Sequence, residues 1–358
     1  MSLGVNRIIL SLKIPVLICI NMLKQNLIYL TFLLLIVASC SEQTPVYDSF
    51  AGLTQGTTYG ITFETSRKIK KEKLQAGVQQ ILTDFDNSLS TYNKNSIISK
   101  INRNEDAVPD LLFIEVFNRS KEITELTGGV FDITVGPLVN AWGFGPDAIR
   151  KFDESKLDSL MKLVGMNKVS LINGQVVKSD PGITLDVNAI AQGYSVDVVA
   201  RYLEKQGVNS FLVEIGGEVR VKGTKAGQLW RIGIDEPNDE NVPAGEMLQD
   251  IIAITNISVS TSGNYRKFYI DKGVKYSHTI DPRTGSPVRH NLLSATIIAK
   301  DCITADAFAT ACMVLGKDGA IDLITKYDYI EGYLIYTDNT GKYKTWMTDN
   351  FSDLVQDY

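Results

Sequence analysis

The sequence predicts an α+β fold, with mixed sheets and packed helices in a single compact unit. Helical and alternating segments come in clusters rather than in strict βα alternation. The 358 residues are 44% hydrophobic and 22% charged, as in an ordinary globular protein. No internal repeat, low-complexity stretch or clear linker follows residue 50.

The elements follow from periodicity. Residues 57–64 alternate and read as a first strand. Residues 72–89 have helical period, and so do 109–126, which Gly128 and Gly129 terminate. Residues 152–164 read as a short helix, and 169–177 as a hairpin turning at Asn173-Gly174. A long helix over 189–206 is closed by Gly207. Strands are expected at 211–222, 230–235, 251–260, 268–279 and 293–299, the fourth split by Asp271-Lys272-Gly273. Helices at 305–315 and 319–326 precede a last hairpin over 333–347.

The N-terminus reads as a targeting segment over 1–39. An apolar run from Leu27 to Ala38 follows Lys24 and ends in Val37-Ala38-Ser39-Cys40. Small residues before a Cys resemble a bacterial lipobox, in which Cys40 carries the lipid and starts the mature chain. The run is short for a membrane span of about 20 residues. Met22 gives a more typical signal length than Met1. Residues 40–50 read as a polar tether, and 51–358 as a single folded domain. The expected location is the bacterial cell membrane, inner or outer, as a periplasm-facing lipoprotein.

Residues 1–39 hold three of the 36 basic residues (Arg7, Lys13, Lys24) and no acid, so the remainder has 33 bases against 41 acids, a net charge of −8. That balance, without a basic block, argues against nucleic acid as a partner. Outside the leader and Cys40 only Cys302 and Cys312 remain, about 15 Å apart along one expected helix and beyond disulfide reach. The two histidines, His278 and His290, exclude a His-rich metal site. His290, beside Arg289 in a polar loop, reads as surface.

Residues 301–316, D-C-I-T-A-D-A-F-A-T-A-C-M-V-L-G, read as a buried helix. Asp306 and Thr310 are four apart, so their oxygens share one face. A buried carboxylate needs a partner. A hard cation that takes oxygen ligands, Mg²⁺ before others, would satisfy both groups. An Asp at the helix start and a Thr bonded back to its own helix is the reading that needs no ion. Five other segments place glycines and polar residues between apolar runs: 127–135, 184–197, 213–223, 258–265 and 277–287. Glycine beside strand ends permits close approach of backbone to a ligand.

The order and spacing of D-V-N-A-I-A-Q-G-Y, G-G-E, S-T-S-G-N-Y, S-H-T-I-D-P-R-T-G and A-D-A-F-A-T resemble the ApbE family of FAD:protein FMN transferases, from about Gly52 to the C-terminus. The resemblance implies that Asp306, Thr310 and the Ala189 carbonyl hold Mg²⁺. It implies that Gln55, Tyr92, Val130, Phe131, Asp132, Asp186, Gln192 and Ile280 contribute to the FAD site. His278, in the H-T-I-D-P motif, is the candidate catalytic base. The alternatives for His278 are orienting the Asp281-Pro282 turn or packing on adenine.

The implied reaction moves FMN from FAD, as substrate, to a Thr or Ser hydroxyl of an acceptor protein and releases AMP. The implied acceptors are membrane redox subunits with a D-G-[AS]-T-like motif. The chain departs from the family at Gln55, where Met is usual, and at Ile97, where Glu is usual. A Mg²⁺-dependent FAD pyrophosphatase and a non-catalytic FAD-binding lipoprotein are the alternatives.

Overall fold

A computed structural model describes residues 22, 24, 25 and 45–358, apart from 67, 147–152, 238–246, 265–267, 272–273 and 357–358. The expected leader and Cys40 lie outside the described residues, except for Met22 and Lys24. The chain divides at Pro45, and the fold is that of Val46–Tyr358.

The first hairpin is β1 (Tyr47–Thr54) and β2 (Thr57–Glu64). Then come α1 (Lys71–Leu89), α2 (Ile97–Asn102), α3 (Leu111–Leu126), α4 (Gly136–Ala141) and α5 (Leu157–Met161). The hairpin β3 (Val169–Ile172) and β4 (Gln175–Lys178) leads to α6 (Asn188–Lys205). Eight strands follow: β5 (Phe211–Ile215), β6 (Glu218–Lys222), β7 (Trp230–Asp235), β8 (Leu248–Ile254), β9 (Ser258–Gly263), β10 (Phe268–Asp271), β11 (Val274–Ser277) and β12 (Leu292–Ala299). The chain closes with α7 (Cys302–Thr325), β13 (Glu331–Thr337), β14 (Tyr343–Met347) and α8 (Asp349–Ser352).

Eight strands pair in the order β1-β2-β5-β6-β9-β12-β13-β14. Every pairing is antiparallel. Strand side chains alternate between faces. On β6, Val219 and Val221 join Trp230, Ile252, Ile254 and Phe351 in a core beneath the β7-β8 ribbon and α8. The intervening Glu218 and Arg220 therefore face the opposite layer, which holds α6 and α7. The larger core lies on that side, where Phe85, Val116, Ile190, Tyr194, Phe308 and Leu334 are buried together.

The structure corrects several sequence expectations. The strand β1 starts at Tyr47, inside the span expected to be a tether; it is an edge strand with one buried residue, Phe50, so its alternation is weak. The strand expected over 211–222 is a hairpin, because Gly216 and Gly217 adopt φ values of 67° and 109°. The short helix expected over 152–164 is helical as α5 only over Leu157–Met161. The two expected C-terminal helices, by contrast, are present as the two arms of α7, separated by a kink at Gly316 (φ 73°, ψ 179°).

His290 is half-buried rather than a free surface residue. A Cβ on Gly316 would lie 3.0 Å from its ring, and His290 Nε2 lies 2.7 Å from the Met313 carbonyl. The imidazole N–H donates to that carbonyl next to the break at Gly316.

Candidate active site

Two helices build the centre of the site. Asp301 caps α7 by accepting the Thr304 N–H at 3.1 Å. Asp197 of α6 accepts the N–H groups of Cys302 (3.0 Å) and Ile303 (2.9 Å), two of the donors a helix start leaves unpaired. Arg220 neutralises Asp197 at 2.5 Å. One turn back on α6, the Gly193 N–H donates to Asp306 Oδ2 at 2.9 Å. Only glycine fits there, since a Cβ would lie 2.3 Å from the Cys302 carbonyl oxygen and 2.7 Å from Asp306 Cβ. Regular helix geometry assigns the Gly193 N–H to the Ala189 carbonyl, four residues earlier. The bond to Asp306 thus couples two of the three expected cation ligands.

Thr310 lies one turn beyond Asp306, with its Oγ1 3.3 Å from Ser262 Oγ on β9. Asp306 is 5% exposed, and burial pushes its carboxyl up to about 7 against the opposing Gly193 N–H. Burial, then repulsion from Asp306, also raises the Glu218 carboxyl. Glu218 Oε2 is buried without a hydrogen-bond partner. Among the described residues no group of three or more His, Cys, Asp or Glu is arranged to hold a metal ion, so a cation at this place draws on hydroxyl and carbonyl oxygens as well. Two buried carboxylates beside a hydroxyl form a hard-oxygen donor set and fit Mg²⁺.

The other candidate residues surround this centre unevenly. Asp186, buried before α6, accepts the Asn188 N–H at 2.9 Å, and burial raises its carboxyl. Tyr92 lies at the surface; packing around its hydroxyl, then the Asp186 charge, raises that hydroxyl. Tyr92 Oη contacts the Phe144 carbonyl at 3.4 Å, and the Phe144 ring meets the half-buried His278 edge-on with centroids 6.4 Å apart. Tyr92, Phe144 and His278 therefore form one line of contacts, with the Asp186 charge felt at the Tyr92 hydroxyl. Gln192 adjoins the Gly216-Gly217 turn, where a Cβ on Gly216 would lie 2.0 Å from its Nε2. Gln55 and Gly56 make the β1-β2 turn with φ values of 49° and 72°, and Gln55 Nε2 is buried without a partner.

Three expected binding residues have side chains committed to the fold. Val130 and Phe131 are core residues. Asp132 accepts the Thr134 N–H (2.8 Å), the Thr134 hydroxyl (2.6 Å) and the Met166 N–H (2.8 Å). Backbone is what this segment can offer a ligand. Ile280 likewise packs with Leu138, Trp142 and Val164 and bridges to Pro287. Sequence reasoning assigned no role to Glu218, Ser260, Ser262, Asp197 or Phe144. The alternation of G-G-E-V-R-V-K was the available signal for Glu218, because it places Glu218 and Arg220 on one face.

This fold is shared with solved flavin transferases. The Vibrio cholerae flavin transferase ApbE superposes with a TM-score of 0.77 at 32% identity, over 87% of this chain and 99% of that one. The apo flavinyl transferase ApbE of Pseudomonas stutzeri gives 0.78 at 33% identity, over 88% and 98%. The chain belongs to the ApbE family, whose pattern matches residues 55–334. It is similar to the FAD:protein FMN transferases of Vibrio cholerae, 37% identical over 293 residues (80% of this chain, 86% of that one), and Haemophilus influenzae, 34% identical over 316 residues (85% and 90%).

Proposed function

We propose that this protein transfers FMN from FAD to a hydroxyl of an acceptor protein and releases AMP. Relatives that bear the name FAD:protein FMN transferase align along most of the chain. The observation that supports the mechanism is the clasp between α6 and α7: Gly193, one turn after Ala189, donates to Asp306, one turn before Thr310.

Asp306, Thr310 and the Ala189 carbonyl would hold Mg²⁺, which when bound neutralises charge on the pyrophosphate. The acceptor oxygen attacks the FMN phosphorus, and the bond from that phosphorus to the bridging oxygen breaks. The bridging oxygen leaves with AMP, and the hydroxyl proton passes to a base, for which His278 is the candidate. Phe144 restrains the His278 ring by edge contact. Tyr92, Gln192, Asp186 and the backbone of 130–132 would orient the dinucleotide. Positioning of this kind supplies much of the rate in phosphoryl transfer.

The acceptor class is a Thr or Ser in a D-G-[AS]-T-like motif of a membrane redox subunit. Lipidation at Cys40 would anchor the enzyme at the periplasmic side of a bacterial membrane. The apolar run ending in Val37-Ala38-Ser39-Cys40 supports that placement.

The test combines the chain from residue 41 with FAD, Mg²⁺ and a peptide carrying D-G-A-T. AMP with an FMN-modified peptide is expected. AMP with unmodified peptide points to the pyrophosphatase, and intact bound FAD to a carrier.

A further inference from the structure

The face of α7 that carries Asp306 runs alongside one face of β9, and two contacts set the alignment. Cys302 Sγ lies 3.8 Å from the Val259 carbonyl and 3.7 Å from the Val219 carbonyl. Thr310 Oγ1 lies 3.3 Å from Ser262 Oγ. Four helical residues rise about 6 Å, and two strand residues about 6.8 Å. The eight helical residues from Cys302 to Thr310 and the three strand residues from Val259 to Ser262 therefore span similar lengths, and Asp306, midway along the helix segment, lies over the middle of the strand segment, where Ser260 shares a face with Ser262.

Across the ladder Val219 pairs with Val259, so Glu218 lies opposite Ser260. Ser260 Oγ approaches Glu218 Oε1 at a long 3.5 Å, and Oε2 has no partner. Glu218 is 6% exposed. A buried carboxylate with a bare oxygen is costly, and a second carboxylate nearby makes it costlier. A cation between the two relieves both.

We infer that Glu218 is a further oxygen donor of the cation centre, binding a hard divalent ion through Oε2 opposite Asp306. The inference rests on the cation reading of Asp306 and Thr310. It makes the protein's contribution two carboxylates, one hydroxyl and one carbonyl drawn from three elements: α6, α7 and β6. Hard dications favour such all-oxygen sets. The G-G-E turn then has a defined task. Gly216 and Gly217 fold the β5-β6 hairpin tightly enough to begin β6 with a carboxylate beneath α7.

The test uses the full chain in detergent with Mn²⁺ alone as probe, reading free Mn²⁺ by electron paramagnetic resonance and the melting temperature with and without the ion. Glu218→Gln keeps the side-chain shape and removes the charge. It is expected to weaken Mn²⁺ at least tenfold and to lose the Mn²⁺-induced rise in melting temperature, with the metal-free value the same or higher. Mn²⁺ affinity within twofold of wild type overturns the inference, as does a lower metal-free melting temperature with the Mn²⁺-induced rise kept. Glu218→Asp withdraws the charge by one methylene and serves if the amide variant does not fold; unchanged Mn²⁺ affinity there also overturns it. Asp306→Asn separates the two levels. If Asp306→Asn binds Mn²⁺ as wild type does, the cation reading itself fails. If it loses Mn²⁺ while Glu218→Gln keeps it, only the role of Glu218 fails.

Discussion

The Gly193 N–H of α6 donates to the Asp306 carboxylate of α7, and no residue larger than glycine fits at that position. The bond fixes the side chain that faces the proposed cation site. It also draws on the donor that helix geometry assigns to Ala189.

Gly193→Ala tests this relationship. Its methyl would meet the Cys302 carbonyl oxygen at 2.3 Å, where the obstacle is backbone and cannot rotate away. Overpacking of this kind costs about 1–3 kcal/mol. The variant is expected to melt earlier and to need more Mg²⁺ for AMP release. A Mg²⁺ dependence identical to wild type contradicts the coupling.

Asp306→Ala removes the carboxylate that Gly193 holds. AMP release is expected to fall to background while circular dichroism stays near that of wild type. Retained turnover would sink the metal assignment.

His278→Ala is expected to slow transfer by about 10² to 10⁴, the range for losing a general base, while FAD affinity changes little. Equal loss of binding and transfer makes His278 a binding residue instead.

The buried carboxylates give the metal-free protein a pH signature. Asp306, Glu218, Asp186 and Asp197 all have raised carboxyls in the folded state, with burial the largest cause. A raised acid keeps its proton longer folded than unfolded, so the folded state binds more protons and stability falls as pH rises. For Asp306 the fall runs from the ordinary carboxylate range up to about 7. Metal-free melting temperature is expected to drop by several degrees between pH 5 and pH 8, and Mg²⁺ to restore most of it at pH 8. A metal-free melting temperature that rises over that interval contradicts the assignment.

Much of the fold was legible because its longer elements carry their own period. The core-facing positions of α1, α3 and α6 repeat at helical spacing, and the Gly128-Gly129 stop follows α3 directly. The edge strand β1 was not legible, since an edge strand with one buried residue has little alternation to read. The break at Gly316 was legible as the gap between two expected helices, but the His290 ring packed against it was not, because it comes from a loop 26 positions earlier.

The sequence by itself determined the pairing of Asp306 with Thr310, a local relation set by four residues of helix. It also determined the family motifs and the glycines at the turns. Tertiary structure alone decided that Asp197 clasps the start of α7, that Gly193 reaches Asp306, and that Glu218 lies beneath the same helix. It likewise committed the Asp132 carboxylate to the fold. The physical reason is separation along the chain. A helix face is fixed by nearest neighbours, whereas contacts between α6, β6 and α7 exist only after some hundred residues have packed into one sheet and its helical layer.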